Sequence, residues 1–139
     1  MGYTYERKIN YYETDRMGVV HHSNYIRYLE EARTEWLEAI DMPFDLLEKN
    51  KITIPVLGVN CTYKQHVTFG DIVLVHTYAK EYSGVRMTIG YEVTDKKTGN
   101  IVLLGETKHC FTDSNLKPIS LKKYAPEFHE KFAKLLDEK

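Results

Sequence analysis

An alternation of period two opens the chain. In YTYERKINY, residues 3–11, Tyr3, Tyr5, Arg7, Ile9 and Tyr11 fall on one face, as in a half-buried β-strand. A polar stretch follows, YETDRMGVVHHSNY at residues 12–25, whose acids, glycine and paired histidines mark a turn. From Tyr25 to Ile40 the period lengthens to that of a helix. Tyr25, Tyr28, Leu29, Ala32, Trp36, Ala39 and Ile40 share one face, and Glu30, Glu31, Arg33, Glu35 and Glu38 lie on or near the other. Pro43 disfavours helical backbone at Met42 and stops the segment, after which PFDLLEKN reads as one more short helical turn.

Beyond residue 51 strand chemistry takes over. TIPVLGVNCTYK (53–64) is rich in β-branched residues, and DIVLVHTYAKEY (71–82) is a longer run of the same kind. VRMTIGYEVTD (85–95) alternates most cleanly, and the turn DKKTGN (95–100) leads as a hairpin into IVLLGETKHCFTD (101–113). A last amphipathic helix is predicted over 125–137, with Phe128, Phe132, Leu135 and Leu136 on one face and Pro126 in its first turn. The order is strand, long helix, four strands, short helix. Consecutive strands joined by hairpin-length connections predict an antiparallel sheet, against which the single long helix must bury its stripe. The expected class is α+β: one domain over residues 1–139, a curved antiparallel sheet wrapped around one long central helix. Long sheet edges are safer when paired, so a homo-oligomer is expected.

Composition narrows the functions. The 139 residues suffice for one core, and a hydrophobic fraction of 42% excludes a disordered chain. A net charge of −1, with both signs interspersed, argues against a nucleic-acid-binding stripe. No apolar run reaches the length of a membrane span, and MGYTYERKIN has no signal-peptide core, so a cytoplasmic protein without membrane insertion is expected. The two cysteines, Cys61 and Cys110, sit among strand residues and read as small buried hydrophobes. His21 and His22 are adjacent and diverge, and the other histidines lack ligand spacing, so no metal is expected. Nucleotide-binding glycine motifs and a serine nucleophile elbow are absent, and no cofactor is expected.

The chemistry concentrates in the turn. Asp15 stands just before a helix start, where unpaired amides and the helix dipole favour negative charge. With Gly18 letting the backbone come close, a carboxylate and an amide donor in one element are what acyl transfer requires. The same position also suits an acid that only stabilises the helix dipole, and composition by itself favours that reading. One of His21 and His22 could polarise a carbonyl or position water, or serve only as a polar residue of the cap region. Lys64 and Arg86, on strands, could contact phosphates, or serve only solubility.

With its spacing intact, YETDRMGVVHHSNY followed by LEEAR resembles the acyl-CoA thioesterases of the hotdog fold, in the 4-hydroxybenzoyl-CoA thioesterase-like family and its Tol-Pal-associated branch. The family pattern is Asp-Thr-Asp, two residues, Gly-Val-Val, an aromatic, His, two residues and Tyr. FGD at 69–71 and GET at 105–107 extend the likeness over nearly the whole chain. The resemblance implies that Asp15 is the catalytic carboxylate, as nucleophile or general base. It implies that His22 is the accompanying histidine, and that Gly18, Val19 and Val20 lead to an oxyanion-binding helix amide. Tyr25 closes the motif, and Glu30 falls where 4-hydroxybenzoyl enzymes place an acid that reads the acyl group. Glu13 replaces the first Asp, and His21 replaces the aromatic. The implied substrate is an acyl-CoA, with coenzyme A part of the substrate. The implied assembly is a homodimer or homotetramer with interfacial active sites, CoA being held mainly by the partner chain. Two rivals remain: a hotdog hydratase or dehydratase of enoyl thioesters, and a non-catalytic acyl-CoA or acyl-carrier binder.

Overall fold

A computed structural model describes residues 2–136. Strand β1 (Tyr3–Lys8) enters a short 3-10 turn (Tyr11–Glu13), and helix α1 (His22–Ala39) is followed by α2 (Phe44–Lys49). Strands β2 (Val56–Tyr63), β3 (Ile72–Tyr82), β4 (Arg86–Asp95) and β5 (Ile101–Cys110) follow, and the chain ends in α3 (Leu121–Tyr124) and α4 (Pro126–Leu135). Residue 137, the expected end of the last helix, lies outside the described residues.

The five strands form one antiparallel sheet in the order β1-β3-β4-β5-β2. One pairing departs from the hairpin expectation. β2 does not pair with β3 but crosses to β5, setting Val59 against Thr107 and Tyr63 against Leu103. The reason lies in the connector after β2. Val20 donates its amide to Val67 O at 3.0 Å, and Val19 bridges Thr68, so the connector pairs with the polar turn instead of folding back as a hairpin. Val56, Leu57, Val59 and Tyr63 of β2 are accordingly all exposed along a sheet edge.

Helix α1 runs for 18 residues and buries Tyr25, Tyr28, Leu29, Ala32 and Trp36, as its period requires. Leu37 is buried as well, whereas Ala39, expected on the buried face, is exposed in the last turn. The stripe shares one core with Val73 and Val75 of β3, Ile89, Tyr91 and Val93 of β4, and Val102 and Leu103 of β5. Phe128, Phe132 and Leu135 of α4 join it, with Tyr82 stacked on Phe132 and bonded to His129 Nδ1 at 2.7 Å. Cys61 and Cys110 are half-buried free thiols.

The polar side of α1 is less solvated than its pattern predicts. Tyr3 donates to Glu35 Oε2 at 2.8 Å, Tyr5 to Glu31 Oε1 at 2.9 Å, and Arg7 Nε to the same oxygen at 2.9 Å. The odd-numbered face of β1 thus meets the acids of the helix. Burial and the Glu31 carboxylate push the Tyr5 phenol up to about 12.

Arg33 belongs to the same correction. It donates to Tyr91 Oη at 3.0 Å, Tyr91 shares a 2.7 Å hydrogen bond with Thr107 Oγ1, and Thr107 lies 2.7 Å from His109 Nε2. A guanidinium can only donate, so each hydroxyl passes its proton onward, and Nε2 of a neutral His109 accepts the last. Burial, then the Arg33 charge, lowers the His109 pKa to about 4. The unfolded chain keeps an ordinary value of about 6.5 and so binds more protons than the fold between those pH values. This part of the stability is complete above pH ~6.5 and is lost as the pH falls toward ~4, amounting to about 3 kcal/mol. Urea midpoints followed from pH 7 to 4 should show that loss in the wild type and a much flatter trend in His109→Gln. Equal slopes in both would remove His109 as the cause.

Candidate active site

The turn between the 3-10 segment and α1 is built from its own backbone. Asp15 N donates to Val19 O at 2.8 Å, Gly18 N to Asp15 O at 3.0 Å, and Met17 N to Asp15 Oδ1 at 2.8 Å. Gly18 has φ of +81°, and a Cβ there would meet no atom within 4 Å. Glycine is required here by backbone conformation, not by space. His21 closes the turn as the N-cap of α1, its Nδ1 accepting from Ser23 N at 3.2 Å and lying 2.9 Å from Ser23 Oγ. The residue that departs from the family aromatic is therefore the cap. His21 and His22, expected to diverge, instead stack with centroids 4.4 Å apart, because His21 is the extended cap residue and His22 the first helical one.

Accounting for amides around the helix start isolates one donor. Val20 N is committed to Val67 O, His21 N to Glu13 O at 2.9 Å, Ser23 N to the cap, and Asn24 N to His21 O. His22 N, first in the helix, has no acceptor among the described residues. It carries the positive end of the helix dipole with its hydrogen unspent. Similarly, Asp15 binds Met17 N through Oδ1 alone, and no hydrogen bond within the described residues falls on Oδ2.

These groups border one cleft of about 420 Å³. Asp15, Val19, Val20, His22, Tyr25 and Lys64, all singled out from the sequence, line it together. Gly18 sits in the same turn. Glu30 is exposed farther along α1 and is absent from the lining. Arg86, at the start of β4, borders a separate depression with Glu81 and Lys108, so Lys64 and Arg86 do not converge within one chain. Tyr63 completes the cleft, together with Met17, Gln65 and His66, which were not expected there. The 64–68 connector carries no motif, and only its pairing with Val19 and Val20 brings it to the turn.

The cleft has an aromatic floor. Tyr25 is 4% exposed, and its ring lies 5.5 Å from Tyr63 and 6.0 Å from Tyr28. Burial pushes the Tyr25 phenol up to about 12, the Val67 backbone working the other way. Tyr25 is therefore neutral at physiological pH and can serve as a hydrogen-bond donor and an apolar wall, not as a base.

A carboxylate with a free oxygen, a free helix amide and a histidine around one half-apolar cleft form the equipment of acyl transfer. The chain belongs to the thioesterase-like superfamily, whose family model matches residues 9–136, and it is a thioester hydrolase. Its α+β architecture, with a five-stranded antiparallel sheet, agrees with the hotdog class. It is similar to a DHNA-CoA thioesterase from Staphylococcus aureus, with a TM-score of 0.90 and 32% identity over 96% of this chain and 90% of that one. The Bacillus subtilis protein YneP is 30% identical over 130 residues, 93% of this chain and 94% of its own length. The acyl-CoA thioesterase YbgC of Haemophilus influenzae is 27% identical over 126 residues, 88% of this chain and 90% of its own. Among the described residues no helix is long and apolar enough to cross a membrane.

Proposed function

We propose that the protein hydrolyses an acyl-CoA thioester to a free carboxylic acid and coenzyme A. The observation that carries this reading is the unspent His22 amide beside Asp15 in one cleft. The thioester carbonyl oxygen would take that amide, where the helix dipole stabilises the charge developing in the tetrahedral transition state. Asp15 Oδ2 would either attack the carbonyl carbon or take a proton from an attacking water. In the first case the C–S bond breaks, CoA leaves as a thiolate that acquires a proton, and water then hydrolyses the mixed anhydride. In the second case water supplies the oxygen directly. His22 would orient that water or the thioester.

Val19, Val20 and Tyr25 would hold the acyl group, and Lys64 would meet CoA phosphate. Glu30 and Arg86, outside the cleft of their own chain, would serve only a site completed by a second copy. A homodimer or homotetramer is therefore part of the proposal, and the exposed edge of β2 supports it. So are the Tol-Pal-associated branch, a central position for α1 inside the curl of the sheet, a cytoplasmic setting and independence from any cofactor or metal. The spacing from Asp15 through Gly18 and His22 to Tyr25 supports the branch.

The test is thiol release from a panel of short, medium, long and aromatic acyl-CoAs, run beside enoyl-CoA hydration. Thiol release on at least one acyl-CoA is expected, without hydration. Hydration alone, or tight binding of every acyl-CoA without turnover, would overturn the reading in favour of a hydratase or a binder. Single-turnover hydrolysis in oxygen-18 water separates the two roles of Asp15. A label recovered in the Asp15 peptide identifies the nucleophile.

A further inference from the structure

Glu13 is the one carboxylate of the turn that faces inward. It is 3% exposed, at the end of the 3-10 segment, and two residues from Asp15. Its oxygens receive three donors: Arg7 Nη1 at 2.9 Å, Arg7 Nη2 at 2.6 Å and the Asn10 amide at 2.8 Å. The two guanidinium bonds form the parallel fork that makes Arg–carboxylate pairs rigid as well as strong. Arg7 is itself held on the far side by Glu31 of α1, and it lies 4.7 Å over the Tyr28 ring. Burial works against the Arg7 charge, but its hydrogen bonds to Glu31 and Glu13 hold its pKa above the ordinary value.

The main chain of the same residue faces the helix start. Glu13 O accepts the His21 amide at 2.9 Å and Asn24 Nδ2 at 2.9 Å. Asn24 is itself buried. Glu13 thus grips β1 and the 3-10 segment through its side chain and the first turn of α1 through its carbonyl. The bond to His21 N matters most for chemistry, since it engages the amide just before the one left for an oxyanion. If the carbonyl moved away, His21 N would also become a donor and the helix would lose the anchor that aims His22 N.

We propose that Glu13 is a positioning residue: clamped by Arg7, it fixes Asp15 and the His22 amide relative to each other without touching the substrate. This rests on the acyl-transfer reading of the cleft for its catalytic consequence, but not for its structural one. Arg7 Nη1 also donates to Lys8 O at 2.7 Å, which orients the guanidinium from the strand side. The fork is therefore held from the strand as well as from the turn. A carboxylate is needed and not merely a polar group, because the half-buried guanidinium otherwise loses one of its two counter-charges.

Two measurements on Glu13→Gln, Glu13→Asp and Glu31→Gln test this, at a temperature where circular dichroism shows every variant folded. In the first, hydrogen exchange is followed by mass spectrometry on peptides spanning 13–24 and on β4 and β5. Glu13→Gln should speed exchange in the 13–24 peptide and leave the strands at wild-type rates. Unchanged exchange there would overturn the clamp, even if no acyl-CoA were ever hydrolysed. In the second, kcat and KM are measured on the best acyl-CoA of the panel. Glu13→Gln should lower kcat about a hundredfold, with KM within about threefold, the signature of displaced reacting groups and not of lost binding. Glu13→Asp, which restores the charge, should recover a large part of that loss. Glu31→Gln, which loosens Arg7 but not the turn, should stay within about threefold of wild type. Wild-type kcat in folded Glu13→Gln would overturn the role, since a merely structural residue lowers melting temperature and leaves turnover per folded molecule intact. Absence of hydrolysis by the wild-type protein would sink the acyl-CoA reading alone, and the exchange result would still decide the clamp.

Discussion

Asp15→Asn should lower the rate of acyl-CoA hydrolysis about a thousandfold, while melting within a few degrees of the wild type. The asymmetry between those two effects follows from the geometry. Asp15 is held through Oδ1 by the Met17 amide, and an asparagine can present its carbonyl oxygen to that amide unchanged. The backbone bonds of Asp15 to Val19 and Gly18 do not involve the side chain. What the substitution removes is the charge and basicity of Oδ2, the oxygen with no hydrogen bond among the described residues. An amide nitrogen there can neither attack a carbonyl nor accept a proton from water. The measurement is steady-state thiol release beside a thermal melt. A variant that keeps near-wild-type rates on every hydrolysed acyl-CoA would show that the chemistry lies elsewhere. A variant that loses activity only by unfolding would show that Asp15 is structural.

Trp36→Ala should cost about 4 kcal/mol of stability, the second large effect expected. Trp36 is 1% exposed in the last quarter of α1, in the core shared by helix and sheet. Removing an indole deletes its transfer free energy and leaves a cavity that close-packed surroundings fill only in part. For a domain of ordinary stability this is a large share of the total, and the melting temperature should drop by about 10 °C or more. Urea unfolding with a probe other than tryptophan fluorescence measures it. A loss below about 1 kcal/mol would contradict the burial of this helix face. The two substitutions are expected to fail in opposite ways, one inactive and folded, the other unstable at the far end of the same helix.

Periodicity made the elements legible. The 3.6-residue repeat that ends near Ile40, and the alternation from Val85 to Asp95, each reappear as one element with boundaries displaced by at most three residues. Tertiary choices were less visible. Nothing local in residues 53–64 tells which edge of the sheet will take them, and the decision depends on Val67 being claimed by Val20. Ala39 and Leu37 exchange places because a helix end loses its cover sooner than a repeating pattern implies.

The site divides along the same line. Asp15, Gly18 and His22 could be read because a motif fixes their spacing in one segment. Of the two cations expected near CoA only Lys64 borders the cleft, just past the end of β2 at Tyr63, and Gln65 and His66 arrive with it from a connector with no pattern of its own. His21 was opaque because histidine is not among the favoured N-cap residues, although its ring nitrogen accepts from Ser23 as a serine or aspartate oxygen would. The Arg7–Glu13 pair was opaque for another reason. Six residues separate the partners across the end of a strand, a spacing that no helix or strand repeat brings together.

The crossing of β2 to the far edge has a consequence for how the protein comes into being. β2 acquires its ladder only when β5, some 40 residues later, is in place. β1 likewise waits for β3, across the whole of α1. Two of the four strand pairings are distant in sequence, so folding should be slower than for a helical chain of this size. On a ribosome, the segment containing Asp15 and His22 emerges early, but the connector that closes their cleft is bonded to Val102 as well as to Val20, and is fully anchored only after β5 has emerged. A nascent chain halted between β3 and β5 would therefore hold the whole motif and no enclosed site, and activity would be among the last properties this protein acquires.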